Sequence, residues 1–390
     1  MIEHLKVIVG EGNVSCLEND KITYATDASQ LEGSTVAVVW PQNPEQIRQI
    51  LTYANRLNMN IVPRGAGSGL AGAVVPNNSL VLDFSRMNKI LKFHPEDNTL
   101  EVEPGVVVDD IIHEAEKYEL FFPVSPSSHT ICQIGGMIAT NAAGNRAITF
   151  GSTEKWVQEL DVLDGTGKFF TMKHNLNEFI GKEGTTGIIV RARLKLTKPL
   201  KRTTASLSMM PDEPSLIKKI KELTQNEHLI ALEFINKKAS VLMGREDAYL
   251  LFAEFESLDG EMVETEEIDK VWQVRENAYP SLASQGYSII EDPKISLEHL
   301  EEFLKWLSEK NIPAFGHIGI GIVHPIFKID DEALIKDMHE LVKKLHGAVT
   351  GEHGYGMRKG IFINDAYKYE LKLLKQRYDP NDILNRGKLV

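Results

Sequence analysis

The sequence predicts an α+β fold that is divided into more than one domain. A strand–helix–strand pattern covers residues 36–64, and three glycine-rich loops separated by strand and hairpin patterns follow up to about residue 200. Beyond that point the pattern changes to helix, strand, strand and helix. Because 390 residues exceed the usual length of a single domain, we expect two or three domains.

The strand–helix–strand unit is the clearest local pattern. The β-branched run Val36–Val39 predicts a strand, and Asn43 followed by Pro44 supplies a helix N-cap and a first helical residue. Apolar residues then recur at helical spacing, namely Ile47, Ile50, Leu51, Ala54 and Leu57. The helix leads into a second predicted strand, IVPR, and then into the first glycine-rich loop.

The stretch IVPRGAGSGLAGAVVP, residues 61–76, contains the spacing G-x-G-x-x-G at Gly67, Gly69 and Gly72. In a Rossmann domain this spacing precedes a helix whose N-terminus points at a pyrophosphate. Here a proline, an Asn-Asn turn and a β-branched run follow instead, so we expect a strand and not a Rossmann unit. The glycines would then turn backbone N–H groups together toward an anion, and a merely flexible turn is the alternative.

Two further glycine-rich stretches lie before residue 200. A hairpin around residues 96–98 and a helix over 107–120 lead to SPSSHTICQIGGMIATNAAGN, residues 125–145, and a hairpin at Asp164-Gly165 precedes GKEGTTGI, residues 181–188. A long strand, predicted within 183–199, ends this region. Three such loops in one region favour a large extended nucleotide as ligand.

A second domain is predicted from about Lys201. Its patterns are a helix at 213–225, strands at 229–235 and 248–257, an acidic helix at 261–282, a helix at 297–310, a glycine-interrupted segment at 312–327 and a helix around 331–346. A closing helix ends at Asp379-Pro380. We therefore expect domains at 1–200 and 201–345 and a C-terminal segment at 346–390.

Composition narrows the classes of function. A net charge of -12 argues against nucleic acid as a partner, since that partner requires clustered Lys and Arg. The two cysteines, Cys16 and Cys132, support no disulfide framework, thiolate zinc site or iron–sulfur cluster. This cysteine usage predicts a protein of the reducing cytoplasm. Because the sequence has no signal-peptide pattern and no membrane-length apolar run, we expect any membrane contact to be peripheral, at the inner face.

A second group of candidate residues lies in GHIGIGIVH, residues 316–324, and TGEHGYG, residues 350–356. His317 and His324 are seven positions apart, so on one extended strand they would point to opposite faces. A turn at Gly319 and Gly321 would bring them together. Two imidazoles with the Glu352 carboxylate suit Zn²⁺ or Mn²⁺, and histidines with a purely structural role are the alternative.

Four motifs together resemble a known family. They are PRGAGSGLAGAVVP, SPSSHTICQIGGMIATNAAG, KEGTTGIIVRARLKL and, near the end, YDPNDILNRGKL. The chain from about Val36 onward resembles the FAD-binding PCMH-type superfamily of vanillyl-alcohol oxidase and p-cresol methylhydroxylase. Its nearest branch holds D-lactate dehydrogenase, D-2-hydroxyglutarate dehydrogenase and the flavin subunit of glycolate oxidase. The resemblance implies a two-subdomain FAD-binding domain, a ferredoxin-like α+β cap that is shorter than usual, and a C-terminal segment that returns to the FAD domain.

The resemblance also implies which residues hold FAD. The loop for the pyrophosphate would be Arg64, Gly65, Ala66, Gly67, Ser68, Gly69 and Leu70. Residues lining the flavin and ADP portions would be Ser127, Ser128, Thr130, Gly135, Gly136, Asn141 and Gly144. Glu183, Gly184 and Ile188 would meet the adenine or ribose, and Asn385 would approach the flavin. Because the first loop has no histidine or cysteine to tether flavin, we predict non-covalent FAD.

Related dehydrogenases hold a catalytic metal with H-x-G-D-G-N-x-H and a later E-H-G. His317, His324 and Glu352 match the ligand positions, whereas Ile320 and Ile322 stand in place of the Asp and Asn. Ile326 likewise stands where hydroxyglutarate-type members carry Asn. The residues around the metal ligands are therefore more apolar than in the related motif, and we expect this difference to affect which metal binds and how tightly.

Other matches imply catalytic roles. His353 matches the proposed base, and Arg275 matches the arginine for the substrate carboxylate, a role that its planar fork suits. The alternatives are a loop histidine and a helix-surface arginine. Lys294 and Arg358 are weaker candidates for a second carboxylate.

The predicted function is oxidation of a D-2-hydroxy acid, first of all D-lactate, to the 2-oxo acid by hydride transfer to flavin N5. Alternatives within the class are D-2-hydroxyglutarate dehydrogenase and the flavin subunit of a glycolate oxidase complex, whose iron–sulfur partner would be another chain. From other classes, an NAD-dependent enzyme and a non-catalytic cofactor-binding module compete. The electron acceptor is oxygen, a quinone, a cytochrome or a partner subunit, and a homodimer is expected.

Overall fold

The structure is a computed structural model and describes residues 1–200, 203–256 and 265–389. Its strands are β1 (Val14–Ser15), β2 (Ser34–Val39), β3 (Ile61–Arg64), β4 (Asn77–Asp83), β5 (Ile90–His94), β6 (Thr99–Val102), β7 (Val157–Leu163), β8 (Phe169–Met172), β9 (Ile188–Lys195), β10 (Thr203–Met210), β11 (Leu229–Ile235), β12 (Tyr249–Glu256), β13 (Ile289–Ile290), β14 (Ala314–Gly316) and β15 (His324–Phe327).

Thirteen α-helices lie among the described residues. They are α1 (Ile2–Val9), α2 (Glu18–Thr23), α3 (Pro44–Leu57), α4 (Val108–Glu116), α5 (Ile134–Thr140), α6 (Ala147–Phe150), α7 (Glu213–Leu223), α8 (Lys237–Leu242), α9 (Thr265–Glu276), α10 (Ala278–Ala283), α11 (Leu300–Glu309), α12 (Glu332–Lys344) and α13 (Asp365–Tyr378). The mixture of helices and sheets confirms the predicted α+β class.

The chain forms two compact units. The first comprises Met1–Ala143, Ser152–Lys198 and Glu352–Val390, and the second comprises Gly144–Gly151 and Pro199–Gly351. The second unit thus extends beyond residue 345 and takes in residues 144–151, which the sequence had placed in the first domain. The reason is local: Thr149 Oγ1 donates to the carbonyl oxygens of Leu229 and Ile230, and Arg146 pairs with Glu254.

The first unit contains two sheets. One has the strand order β1-β2-β4-β3, with β4 parallel to both β2 and β3. Helix α3 begins at the predicted cap, where Asn43 Oδ1 accepts from the Gln46 amide at 3.0 Å, and buries Ile47, Ile50, Leu51 and Ala54, whereas Leu57 is exposed. Strand β4 follows the first glycine-rich loop where a Rossmann helix would begin, as predicted.

The other sheet of the first unit is antiparallel, in the order β5-β6-β9-β7-β8. Its two hairpins turn at residues 95–98 and 164–168, as the sequence indicates. In the second of these turns, Asp164 Oδ1 accepts from the backbone amides of Thr166 and Lys168, at 2.8 and 2.9 Å. Helices α4 and α5 bury apolar faces against this sheet.

The second unit has one sheet in the order β10-β12-β11-β14-β15-β13, with antiparallel neighbours. Helices α7, α11 and α12 contribute to its core. The acidic helix predicted over 261–282 differs, since α9 ends at Glu276 and α10 follows, while residues 261–264 lie outside the described residues. Pro280 cannot donate to the carbonyl of Glu276, which explains the break.

Candidate functional site

The first glycine-rich loop follows β3 in the first unit. Arg64, at the end of this strand, is buried, and its Nη1 donates to the Thr26 carbonyl oxygen at 2.7 Å. The guanidinium carbon lies 5.2 Å from the centre of the Tyr24 ring. Gly67 has φ +72°, and a Cβ there would lie 2.3 Å from Arg64 Nη2. The guanidinium of Arg64 therefore packs against the loop at Gly67, which has no room for a side chain.

The second glycine-rich stretch lies against the first loop. A Cβ on Gly65 would lie 3.3 Å from Gln133 Oε1 and 3.9 Å from the Cα atom of Gly136. By contrast, a Cβ on Gly69 or Gly136 would meet no atom within 4 Å. Gln133 Oε1 is buried and has no hydrogen-bond partner among the described residues. A glycine-lined surface with an unpaired amide oxygen beside it fits the close approach of a polar ligand such as FAD.

The other residues implied for the flavin and ADP have varied surroundings. Ser127 and Thr130 are exposed, Ser128 is partly buried, and Gly135 packs against Pro104. Asn141 ends α5 with φ +54°, and its Oδ1 accepts from the Glu154 amide at 3.0 Å. Gly144 belongs to the second unit. Their contacts with FAD stay predictions.

Glu183, in the third loop, contacts the E-H-G-Y-G segment. Its carboxylate accepts from the backbone amides of Tyr355 at 2.6 Å and Gly356 at 2.9 Å. Burial raises the pKa of Glu183 to about 7, although the two amides favour the ionised form. The carboxylate thus supports this segment, a role that the sequence did not indicate.

The two neighbours of Glu183 in the prediction are closely packed. A Cβ on Gly184 would lie 2.5 Å from Pro63 Cγ, and the side chain of Ile188 is in the hydrophobic core beneath the β2–β4 sheet. Only the backbone of Ile188 is therefore suited to a cofactor contact.

The C-terminal segment hydrogen-bonds to both the first and the third glycine-rich loops. Asn385 is fully buried, and its Nδ2 donates to the carbonyl oxygens of Ala73 at 2.9 Å and Glu183 at 2.7 Å. Lys388 Nζ donates to Asn385 Oδ1 at 2.7 Å, and burial lowers the pKa of Lys388 to about 8. Sequence reasoning missed Lys388, because a lysine near a C-terminus carries no signal of burial.

The two predicted metal-binding histidines lie together in the second unit. His317 directly follows β14 and His324 begins β15, which runs antiparallel to it. The connection contains a 3-10 turn over Ile318–Ile320 and then Gly321 at φ +76°, so the expected turn is present. The ring centres are 5.3 Å apart, with planes at 86°, and each histidine has a ring nitrogen within 4.8 Å of one on the other.

The hydrogen bonds of both imidazoles fix their tautomers. His324 Nδ1 lies 3.3 Å from the carbonyl oxygen of Glu291, which can only accept, so Nδ1 carries the proton. His317 Nδ1 lies 2.7 Å from Glu233 Oε1 and donates to this carboxylate. In the neutral form of both rings the lone pair is therefore on Nε2, the arrangement that metal-binding histidines adopt.

Arg275 contacts the same carboxylate. Its Nε and Nη2 each lie 2.8 Å from Glu233 Oε2, and its guanidinium carbon lies 4.4 Å from the centre of the Phe315 ring. Arg275 is buried, so it is not the helix-surface arginine of the alternative interpretation. Sequence reasoning missed Glu233. The available signal was a charged residue within the apolar strand LIALEFI, in which every residue is buried.

Glu352 and His353 begin the last segment of the first unit. The preceding residue, Gly351, is held by Asp292, whose Oδ2 accepts from the Gly351 amide at 2.9 Å and from Thr350 Oγ1 at 2.9 Å. His353 Nε2 lies 3.5 Å from Glu352 Oε1. Asp292 is a second residue that the sequence analysis missed.

The two weaker candidates for a second substrate carboxylate, Lys294 and Arg358, differ in their surroundings. Lys294 is exposed, and Arg358 donates from Nη2 to the Ser29 carbonyl oxygen at 2.7 Å in the first unit. Ile322 and Ile326 are buried, and a Cβ on Gly351 would lie 2.6 Å from Ile322 Cγ1. Both isoleucines are thus packed inside the second unit.

Comparisons with known proteins agree with this architecture. Residues 35–173 match the FAD binding domain family, and residues 201–389 match the C-terminal domain of FAD linked oxidases. The chain is 29% identical to D-2-hydroxyglutarate dehydrogenase of Stutzerimonas stutzeri, over 100% of this chain and 98% of the relative. It is 28% identical to glycolate oxidase subunit GlcD of Bacillus subtilis, over 99% of this chain and 96% of the relative. It is 27% identical to D-lactate dehydrogenase of Archaeoglobus fulgidus, over 90% of this chain and 91% of the relative.

Solved structures support the fold. A structure of alkyldihydroxyacetonephosphate synthase aligns with a TM-score of 0.74 at 17% identity, over 100% of this chain and 85% of the other. Within the described part of the chain, no helix combines the length and apolar character needed to span a membrane. The two family matches, the relatives along the whole chain and the shared fold confirm the resemblance. The chain belongs to the PCMH-type FAD-binding superfamily, and the relatives to which it is similar are D-2-hydroxyglutarate dehydrogenases, a D-lactate dehydrogenase and a glycolate oxidase subunit.

Proposed function

We propose that this protein is an FAD-dependent dehydrogenase that oxidises a D-2-hydroxy acid, with D-lactate as the first candidate, to the 2-oxo acid. The observation that carries the proposal is the buried group in the second unit, where His317 and Arg275 share the Glu233 carboxylate and the ring of His324 lies 5.3 Å from that of His317. A metal-binding donor set beside a guanidinium suits a substrate with adjacent hydroxyl and carboxylate groups.

FAD would be held non-covalently by the glycine-lined surface of the first unit. Gly69 and Gly136 leave room for close approach, and Gln133 Oε1 offers an unpaired acceptor. Bound flavin supplies the acceptor for the hydride that leaves the hydroxyl-bearing carbon.

The chain's own residues would divide the remaining work. Arg275 binds and orients the carboxylate, and His353 accepts the hydroxyl proton. His317 and His324, through Nε2, and Glu352 are the residues that would hold Zn²⁺ or Mn²⁺, and such an ion would favour loss of that proton. Glu352 directly follows Gly351, whose backbone amide donates to Asp292 Oδ2 at 2.9 Å.

The apolar positions favour a substrate with a small apolar substituent. Ile322 and Ile326 are buried where related motifs carry polar residues, and Lys294 is exposed to solvent. A second carboxylate, as in hydroxyglutarate, would lose its hydration next to such residues without gaining a partner from them. The methyl group of D-lactate carries no such cost.

Two relatives favour specific alternatives. The similarity to D-2-hydroxyglutarate dehydrogenase supports the dicarboxylic substrate, and the similarity to subunit GlcD supports a flavin subunit of a glycolate oxidase. In the second case a cysteine-rich partner chain would co-purify. Homodimer formation, a cytoplasmic location and the electron acceptor stay predictions.

The decisive experiment is anaerobic reduction of the flavin. Protein reconstituted with FAD is mixed with D-lactate, L-lactate, glycolate and D-2-hydroxyglutarate, and bleaching of the oxidised-flavin absorption is followed. We expect D-lactate to bleach the flavin fastest. Faster bleaching by D-2-hydroxyglutarate or glycolate would select that alternative, and a protein that binds no flavin would contradict the proposal.

The metal part has its own test. His324→Ala should lower bound Mn²⁺ or Zn²⁺ and turnover and leave FAD content unchanged, whereas His228→Ala, on a partly exposed histidine of the same unit, should leave all three unchanged. Unchanged turnover in His324→Ala would remove the metal from the mechanism.

A further inference from the structure

We infer that Glu233 is a positioning residue that couples binding of the metal to binding of the substrate carboxylate. The inference rests on the proposed function, because it assigns Glu233 to the same site. It adds that one buried carboxylate sets the orientation of both His317 and Arg275, which lie 42 residues apart in the sequence.

The two carboxylate oxygens have separate partners. Oε1 accepts from His317 Nδ1 at 2.7 Å, and Oε2 accepts from Arg275 Nε and Nη2, each at 2.8 Å. Glu233 lies on β11, between β12 and β14, and is 1% exposed. A central strand of a sheet holds its side chain rigidly, so the carboxylate fixes both partners relative to one another.

The charge of the Glu233 carboxylate accounts for its contacts with Arg275 and His317. An ionised carboxylate at 1% exposure is stable only when it is paired and hydrogen-bonded, and the guanidinium of Arg275 provides the pairing. The carboxylate can then accept the Nδ1 proton of His317, which leaves the lone pair on Nε2 and increases the basicity of this ring as a metal ligand. Loss of the carboxylate would remove this acceptor for the Nδ1 proton of His317.

A second glutamate of the same sheet shows the contrast. Glu254, on the neighbouring strand β12, is also 1% exposed, and its two oxygens accept from Nη2 and Nε of one arginine, Arg146, at 2.8 and 3.0 Å. Both glutamates neutralise an arginine, but only Glu233 shares its carboxylate with a histidine. Glu254 is therefore a control for the loss of a buried carboxylate that pairs with an arginine, with the difference that the side chain of Arg146 is 34% exposed and that of Arg275 6%.

The test is Glu233→Gln, which keeps the size of the side chain and removes its charge. A glutamine replaces one of the two oxygens with an NH2 group, so either His317 or Arg275 would face a donor where it now has an acceptor. Titration of the FAD-reconstituted protein with Mn²⁺ alone should give a Kd that is about 10 to 100 times higher than in the wild type. The D-lactate concentration that half-saturates flavin reduction should rise as well, while FAD content stays the same.

The control separates positioning from stability. Glu254→Gln should lower the melting temperature as Glu233→Gln does, but leave the Mn²⁺ Kd and the half-saturating D-lactate concentration unchanged. Equal Mn²⁺ affinity in wild type and Glu233→Gln would overturn the inference. Equal losses of Mn²⁺ affinity in both variants would also overturn it, because the loss would then follow stability alone.

If Glu233→Gln fails to fold, Glu233→Asp takes its place. The shorter side chain keeps the charge that Arg275 requires but cannot reach both partners, so we expect Mn²⁺ affinity to fall in a folded protein. Failure of the proposed function would look different: the wild type would bind Mn²⁺ and FAD, and no hydroxy acid would reduce the flavin. A wild type that binds no Mn²⁺ or Zn²⁺ would overturn this inference and leave the FAD assignment standing.

Discussion

Glu183 accepts a hydrogen bond of 2.6 Å from the backbone amide of Tyr355, which joins the third glycine-rich loop to the E-H-G-Y-G segment. Its other carboxylate oxygen accepts from the Gly356 amide at 2.9 Å. A Cβ on Gly354 would lie 2.4 Å from Glu183 Oε1, so this segment approaches the carboxylate as closely as glycine allows. The position of the residues that follow Glu352 thus depends on a buried acid.

This acid should give the protein a measurable pH dependence of stability. The pKa of Glu183 is about 7 in the folded protein against 4.5 ordinarily, so the folded state keeps a proton that the unfolded state has lost. The free energy of unfolding should therefore fall as the pH rises from about 4.5 to 7, by on the order of 3 kcal/mol. Chemical denaturation of the FAD-free protein at several pH values measures this slope.

Glu183→Gln provides the reference for that slope. Glutamine cannot ionise, so the variant should lack the part of the fall that Glu183 causes. The pKa of Lys388 is about 8, and its effect falls at higher pH than this window. Parallel curves for the wild type and the variant between pH 4.5 and 7 would show that Glu183 does not titrate there.

A second prediction concerns the space beside the glycines. A Cβ on Gly136 would meet no atom within 4 Å, and the residue lies within α5. Gly136→Ala should therefore stabilise the FAD-free protein by about 0.5 to 1 kcal/mol, because alanine restricts the unfolded chain. If FAD approaches this surface, the same methyl group should weaken FAD binding tenfold or more, as measured by equilibrium titration.

Gly12→Ala is the control for Gly136→Ala. Its Cβ would also meet nothing within 4 Å, but Gly12 is not among the residues implied for FAD. The control should leave FAD affinity unchanged. Wild-type FAD affinity in Gly136→Ala would place the cofactor elsewhere.

Local patterns predicted much of this fold and part of the site. Helix α3 was predictable because its cap, its proline and its apolar spacing all lie within 15 residues, and β4 because a β-branched run follows the turn. The turn between His317 and His324 was predictable from the glycines between them. In each case the determining residues are neighbours in the chain.

Contacts between distant residues were not predictable in this way. Glu233 meets Arg275 and His317 across 42 and 84 positions, and Glu183 meets Tyr355 across 172. Residues 144–151 likewise join the second unit through partners near 230 and 254. A single sequence indicates that these residues are charged or small, but the fold determines which of them meet.

A third prediction concerns Asn385, which holds two carbonyl oxygens from different loops. Asn385→Ala would leave the buried carbonyls of Ala73 and Glu183 without this donor and would place alanine at φ +46°. We expect the free energy of unfolding to fall by about 2 kcal/mol or more, with loss of FAD on gel filtration. Asn381→Ala removes an exposed bond of 2.8 Å to Asn55 and should change both quantities little.

Asn385→Gly separates the two causes of that loss. Glycine accepts the positive φ but offers no side-chain donor, so its deficit beyond the roughly 0.5 to 1 kcal/mol of glycine's own backbone entropy reflects the lost hydrogen bonds. Stability like that of the wild type in Asn385→Gly would mean that backbone conformation, and not the pair of bonds, makes the asparagine important.

Arg275→Lys tests the role of the guanidinium in substrate binding. Lysine keeps the charge beside Glu233, but it lacks the planar fork from which Nε and Nη2 both reach Oε2. The KM for D-lactate should rise by about tenfold or more with a smaller change in kcat, because the lost interaction is already present in the bound ground state. Arg146→Lys, which alters the comparable pair with Glu254, should leave KM unchanged. An unchanged KM in Arg275→Lys, with FAD and Mn²⁺ still bound, would show that Arg275 serves the buried pair and does not hold the substrate carboxylate.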